Sequence, residues 1–180
     1  LHHFLGYGYV PAPFSAFKGI RKLPPAHYLV LRDRNITLHR YWSLRYGPKH
    51  TGTEAAIAEE TLALLQEAVR LRMISDVPLG ALLSGGIDSA TVVALMRRLT
   101  TGPIRTFSIG FDQPIYDERA YARQVAHRCD TVHEEAVVTP DAVALLPRLV
   151  WHYNEPFADS SAVPTFAVTR LAREHVTVAL

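Results

Sequence analysis

Gly80-Ala81-Leu82-Leu83-Ser84-Gly85-Gly86-Ile87-Asp88-Ser89 is the stretch around which the rest of the chain reads. Val77 and Leu79 to Leu83 read as a short buried strand. Ala90 to Leu99, apolar at Val92, Val93, Leu95, Met96 and Leu99, reads as a helix packed against a sheet. The polar loop between them carries two adjacent glycines. These let main-chain amides point inward with no side chain in the way, and the helix start adds unpaired N–H groups and the positive end of its dipole. A concave set of amides of this kind suits a phosphate or pyrophosphate. Ser84 and Ser89 add hydroxyl donors, Ile87 lies in the same loop among the candidate phosphate-binding residues, and the Asp88 carboxylate can hold the magnesium that travels with a nucleotide. A Gly-Gly turn also joins strand to helix in α/β proteins that bind no phosphate, so the whole Ser-Gly-Gly-Ile-Asp-Ser string carries the reading. No Lys follows the glycines, which excludes a Walker A loop, and the Gly-x-Gly-x-x-Gly spacing of a dinucleotide fingerprint is absent.

The chain has 180 residues, 48% hydrophobic and 20% charged, enough for a packed core. Its formal charge is +2, with no Lys/Arg run to follow a nucleic-acid backbone, so nucleic acid is not an expected partner. Cys129 is the single cysteine, which excludes an internal disulfide and a cysteine-rich metal site and points to a reducing cytoplasm. No apolar run is long enough to cross a bilayer, so no membrane partner is expected, and no signal-like leader is seen. The chain starts on Leu1 and stops on Thr177-Val178-Ala179-Leu180, inside a strand-like run, which suggests a piece of something longer.

Leu1 to Phe17, with Gly6, Gly8, Pro11 and Pro13, reads as irregular connection containing a short helical turn. Tyr28 to Leu31 and Ile36 to Trp42 read as a hairpin with Asn35 in the turn. His2, His3 and His27 lack acidic or cysteine partners at ligand spacing and read as surface or packing residues. Pro48 to Thr53 is polar and glycine-containing, which places a domain boundary there, between 1–50 and 51–180. Thr53 can cap a helix to about Ile74, with Ile57, Thr61, Leu64, Leu65, Ala68, Val69 and Met73 as its inward stripe. Arg70 and Arg72 read as solvated charges.

Arg105 to Phe111 reads as a central strand of a parallel sheet, its carboxyl end facing the same crevice as the glycine loop. Tyr116-Asp117-Glu118 opens a helix to about Arg128, with Ala120, Tyr121, Val125 and Ala126 inward. Its first-turn carboxylates serve the dipole and the cap first. Thr131 to Val138 reads as a third strand bearing His133, Glu134 and Glu135. Thr139-Pro140-Asp141 starts a helix to about His152. Tyr153 to Val163 is a polar loop with Asn154, Glu155, Asp159, Ser160 and Ser161, a polarity that an ordinary connection would also explain. Pro164 to His175 reads as a helix and Val176 to Leu180 as a fourth strand. The fold class is therefore α/β, an open, mostly parallel sheet with helices on both faces, preceded by a β-hairpin.

Ser84 to Ser89 resembles the PP-loop of the N-type ATP pyrophosphatases, which cleave ATP between its α- and β-phosphates. Thr106-Phe107-Ser108-Ile109-Gly110-Phe111, Tyr116-Asp117-Glu118 and Asn154-Glu155-Pro156-Phe157-Ala158-Asp159-Ser160-Ser161 narrow the likeness to glutamine-hydrolysing asparagine synthetase, over essentially the whole chain. That resemblance implies ATP and magnesium as cofactors, Asp88 as the Mg²⁺ ligand, and main-chain pairing of adenine at Ile109 and Leu83. It places Glu155, Asp159, Ser160 and Ser161 on the acceptor side. It further implies aspartate as acceptor, glutamine-derived ammonia as nitrogen source, a β-aspartyl-AMP intermediate, and a cytoplasmic ligase of asparagine biosynthesis. Residues 1–50 would then be the tail of a glutaminase domain and 51–180 the first part of an ATP-pyrophosphatase domain, inactive as an isolated piece. The likeness leaves room for a homodimer. Three positions depart from the family pattern: Ala26 for Gly, Glu134 in the His-His-Glu position, and Asn154 for Asp. A related amidotransferase or β-lactam synthetase acting on another carboxylate, or a nucleotide-binding module without catalysis, would share the loop. A tRNA-thiolating PP-loop enzyme would need a cysteine pair and a basic surface, both lacking here.

Overall fold

The computed structural model describes residues 1–112, 117–139 and 141–180. Tyr116 and Pro140, which figured in two of the motifs above, lie outside the described residues. The chain divides into two compact units, one of Leu1–Thr51 with Ala144–Ser160 and one of Gly52–Val143 with Ser161–Leu180.

In the first unit, α1 (His2–Tyr7) ends at Gly8, whose φ of 75° is the left-handed turn that glycine adopts freely. β1 (His27–Arg32) pairs antiparallel with β2 (Asn35–Arg40), Arg32 opposite Asn35. The turn is therefore Asp33-Arg34, at φ 49° and 65°, and Asn35 is the first residue of β2 instead of a turn residue. Both central residues are left-handed, a turn whose twist matches that of the flanking strands, and Asp33 tolerates it well. Arg34 carries no signal of its own. α5 (Ala142–Tyr153), most of which belongs to this unit, gives way to Asn154 at φ 60°.

The second unit holds the parallel sheet, with strands in the order β5 (Val132–Val137), β4 (Arg105–Gly110), β3 (Leu79–Leu82) and β6 (Val178–Ala179). Every neighbouring pair is parallel. The order reverses beside β3: the chain moves outward from β3 to β4 and β5, then returns to β3's other edge as β6. That reversal leaves a crevice at the carboxyl ends of the strands.

Strand alternation sends Ala81 and Leu83 to one face, where they join Val93, Leu95 and Met96 of α3 (Ile87–Leu99), Val69 of α2 (Glu54–Arg72), and Ala122 and Ala126 of α4 (Arg119–Arg128). Phe107 faces the other way, onto Ala172 of α6 (Ala162–Arg173) and Val176. The expected sheet with helices on both faces is what folds. β3 and β4 approach closely at Gly80, where a Cβ would lie 2.7 Å from the Phe107 ring.

Two stripes differ from the sequence expectation. On α2 only Val69 is buried; Leu64 is 66% exposed, because α2 meets the core through its last turns alone. Thr53 caps that helix as expected, its Oγ1 accepting from Ala56 N–H at 3.3 Å. On α4 the inward residues are Ala122, Val125 and Ala126, whereas Ala120 and Tyr121 face outward. The α4 backbone at Tyr121 and Ala122 packs against Gly85, and Tyr121 is left 63% exposed. α3 also begins at Ile87, earlier than Ala90, because extended Gly86 starts the helix at once.

Candidate functional site

The crevice is opened by the strand ends. Pairing of β3 with β4 stops at Leu82 opposite Phe107, with one further bond from Leu83 N–H to the Phe107 carbonyl at 2.8 Å. Residues alternate along a strand, so Ile109 turns its N–H and C=O to the same side as Phe107, past the point where β3 has ended. The next rung, Ile109 N–H to the Leu83 carbonyl, is not made among the described residues. A main-chain acceptor and a main-chain donor thus face the gap between diverging strands.

The loop from Ser84 to Ser89 fills the same strand end. Gly85 has φ 85°, and a Cβ on it would lie 2.6 Å from Tyr121 Cβ and 2.7 Å from Ala122 N. Only glycine satisfies both demands. Gly86 has φ −68° and ψ 161°, open to any residue, and caps α3 without a side-chain bond. A Cβ there would meet only Ser84 Oγ, at 3.3 Å, so its hydrogen faces free space.

A hydroxyl pair holds this shape. Ser89 Oγ donates to the Gly86 carbonyl at 3.2 Å and accepts from Ser84 N–H at 3.3 Å. Ser84 Oγ lies 3.0 Å from Ser89 Oγ and accepts from Gly86 N–H at 3.2 Å. The N–H groups of Ile87, Asp88 and Ser89 open α3 and, as at any helix start, have no carbonyl one turn back. Three amides, the dipole of a 13-residue helix and two hydroxyls converge on one exposed surface.

Asp88 stands exposed in that first turn. Magnesium bound with a nucleotide takes one or two carboxylates and fills its remaining positions with phosphate oxygens and water, so a lone hard carboxylate beside an anion seat fits. No cluster of three or more His, Cys, Asp or Glu able to hold a metal occurs among the described residues.

Behind the loop lies a polar network that the sequence reading did not assemble. Arg119 donates from Nε and Nη2 to Asp117 Oδ1 and Oδ2 at 2.8 and 2.7 Å. Arg123 grips Glu135 in the same two-pronged way, at 2.7 and 2.6 Å. The arginine beside it holds Asp117 well below the usual carboxylate range, at about 2, and Arg123 lowers Glu135 similarly. His133 sits between Thr106 Oγ1, 2.9 Å from Nδ1, and Ser108 Oγ, 3.2 Å from Nε2, and burial pushes its imidazole below the ordinary value. Asp117 was legible as a cap; its arginine partner two residues on was not, since that spacing pairs side chains only outside a regular helix.

Leu83, Ser84, Gly85, Gly86, Ile87, Asp88, Ser89 and Ile109 are therefore brought to one strand end. Glu155, Asp159 and Ser160 belong to the first unit and Ser161 to the second. In the first unit Glu155 forms an ion pair with Lys22 and accepts from Ala16 N–H at 3.3 Å.

Comparison with known proteins gives one family. The family model described as asparagine synthase matches residues 60–180. A Methanocaldococcus jannaschii protein assigned as glutamine-hydrolysing asparagine synthetase 2 is 40% identical over 98% of this chain and 35% of its own length. Glutamine-hydrolysing asparagine synthetase 1 of Bacillus subtilis is 32% identical over 100% of this chain and 28% of its own. Amidase chyE of Penicillium rubens is 32% identical over 84% of this chain and 25% of its own. The chain spans about a third or less of these relatives.

Proposed function

Because the chain belongs to the asparagine synthase family, we propose that it carries the ATP-handling half of a ligase that converts a carboxylate to an amide. The observation that carries this reading is the loop from Ser84 to Ser89, whose open amides and hydroxyls meet at a sheet crevice beside one carboxylate. A carboxylate does not react with ammonia until its oxygen becomes a leaving group. Attack of that oxygen on the α-phosphorus of ATP forms an acyl-adenylate and breaks the bond to the β-phosphate oxygen, releasing pyrophosphate. Ammonia then adds at the acyl carbon, and AMP departs with the original oxygen.

The greatest electrostatic demand of the first step is the charge gathering on pyrophosphate. The amides of Ile87, Asp88 and Ser89 would meet it, joined by the hydroxyls of Ser84 and Ser89 once they turn from their bonds within the loop, with Gly85 and Gly86 giving access. Magnesium held by Asp88 supplies charge neutralisation when bound. Ile109 N–H and the Leu83 carbonyl would pair with the adenine edge. On the proposed reading aspartate is the acceptor, glutamine hydrolysed by another domain is the ammonia source, and Glu155, Asp159, Ser160 and Ser161 serve the acceptor side. Residues 1–50 would belong to the glutaminase side and 51–180 to the ATP side. No helix of the described residues is long and apolar enough to cross a membrane; the proposed place of work is the cytoplasm.

ATP–pyrophosphate exchange in the full-length protein, screened across amino acids, tests the proposal. Exchange that depends on aspartate supports it in full, and absence of exchange with any carboxylate overturns it. A second reading keeps the chemistry with another carboxylate as acceptor, which a relative not named as an asparagine synthetase leaves open. Exchange with that acid and not with aspartate would select it. The isolated chain is expected to make no asparagine; a robust rate from it would contradict the division of labour proposed.

A further inference from the structure

Two glycines beside the proposed nucleotide site lean on the same end of one helix. A Cβ on Gly85 would strike Tyr121 Cβ at 2.6 Å and Ala122 N at 2.7 Å, and one on Gly110 would run into the Arg119 side chain and lie 2.5 Å from Asp117 Oδ1. Gly85 belongs to the phosphate-facing loop, and Gly110 ends β4, one residue past Ile109. Both are seated on the start of α4. That start is fixed by Arg119, whose Nε and Nη2 hold both oxygens of Asp117 while its Nη1 reaches Glu135 Oε1 on β5 at 3.7 Å. Asp117 Oδ1 also accepts from Arg119 N–H at 3.2 Å, which closes the turn. Arg123, one turn later, grips Glu135 from outside. The Arg119 side chain is 19% exposed against 55% for Arg123, so it is the inner member that lies over Gly110.

We infer that Arg119 is a positioning residue for nucleotide binding: by fixing the first turn of α4 it seats the phosphate loop at Gly85 and the β4 end at Gly110 on one support. The spacing between the triphosphate and base subsites is then set by a single paired guanidinium. Its fork is committed to Asp117 and Glu135, so it acts through the main chain of its neighbours and is no phosphate ligand itself. The inference rests on the ATP reading above.

The test uses the full-length protein with Arg119→Ala, Arg119→Lys and, as control on the exposed face of α4, Gln124→Ala. Three quantities are read: KM for ATP against kcat in pyrophosphate exchange, the melting temperature, and hydrogen exchange of the bonded loop amides of Ser84, Gly86 and Ala90 without nucleotide. Arg119→Ala is expected to raise KM for ATP about tenfold, to keep kcat within a factor of about two, and to speed loop exchange about tenfold. Arg119→Lys should fall between it and the parent, and Gln124→Ala should match the parent. A lowered melting temperature with KM and loop exchange unmoved would reduce Arg119 to a fold-stabilising residue and overturn the inference. If the parent turns over no ATP at all, the ATP reading falls alone, because loop exchange still decides whether Arg119 holds the loop.

Discussion

Gly85 and Gly86 are adjacent, yet the structure assigns them different duties, and replacing each with alanine separates those duties. At position 85 the methyl would meet Tyr121 Cβ at 2.6 Å and Ala122 N at 2.7 Å, on a backbone at φ +85°. The left-handed conformation costs a non-glycine residue about 1–2 kcal/mol. Forcing a methyl into a filled contact adds about 1–3 kcal/mol. Gly85→Ala should therefore lose roughly 3 kcal/mol, a melting temperature lower by about 6–12 °C at ~2–4 °C per kcal/mol. At position 86 the backbone suits alanine, and the methyl would touch only Ser84 Oγ at 3.3 Å, a hydroxyl that can rotate. Gly86→Ala should stay within about 1 kcal/mol of the parent, the cost of a poorer N-cap. Its methyl, however, projects where the leaving phosphates would sit, so ATP affinity should fall by about tenfold or more, as expected when a group blocks a close backbone approach. Thermal melts and ATP titration of the full-length variants read both effects. A Gly86→Ala protein that binds ATP like the parent, or a Gly85→Ala protein that melts with it, would refute the reasoning.

Asp88→Asn keeps the size of the side chain and removes its charge; half-saturation by magnesium at fixed ATP should move up by about tenfold, and an unchanged titration would remove Asp88 from the metal's shell. The carboxylates of Asp117, at about 2 against an ordinary 3.8, and Glu135, lowered from 4.5, titrate below their unfolded values. Their contribution is thus complete above those ordinary values and is lost as pH falls through the folded ones. Glu135→Gln should flatten the acid limb of a plot of melting temperature against pH below about 4.5. His133 also has a lowered folded value, so the folded state prefers the neutral ring and stability should begin to drop as pH falls below 6.5. His133→Gln, able to serve the same hydroxyls, should remove that earlier decline. Thr53→Ala deletes the acceptor for Ala56 N–H and should cost about 1 kcal/mol by chemical denaturation, with ATP binding unchanged.

Much of the second unit could be read from residues alone because its signals are local. The apolar run to Leu83, the glycine pair and the helix after it fix one another, and Thr53 marks its helix by a hydroxyl at the cap. What escaped depends on packing between distant segments. An amphipathic stripe on α2 says which face is apolar, not how much of it finds a partner, so Leu64 and Leu65 stand exposed where a core face was expected. Tyr121 lay on the expected inner face of α4, but it is 63% exposed, and its Cβ and main chain are what pack against Gly85. The link from Arg123 to Glu135 joins a helix to a strand, and no spacing rule reaches across that gap. Asn35 missed the turn by one position because left-handed Arg34 has no compositional mark.

Where β3 and β4 part company, the groups left unbonded to each other are a peptide carbonyl from Leu83 and a peptide N–H from Ile109, atoms that every amino acid except proline shares. If they read the base as proposed, the preference for an amino over a keto substituent on the purine is written in strand geometry. Ordinary point substitutions at either position would leave that choice of base intact, while an insertion or deletion shifting one strand by a residue would erase it. Drift in side chains could then reshape the acceptor pocket without any change of nucleotide.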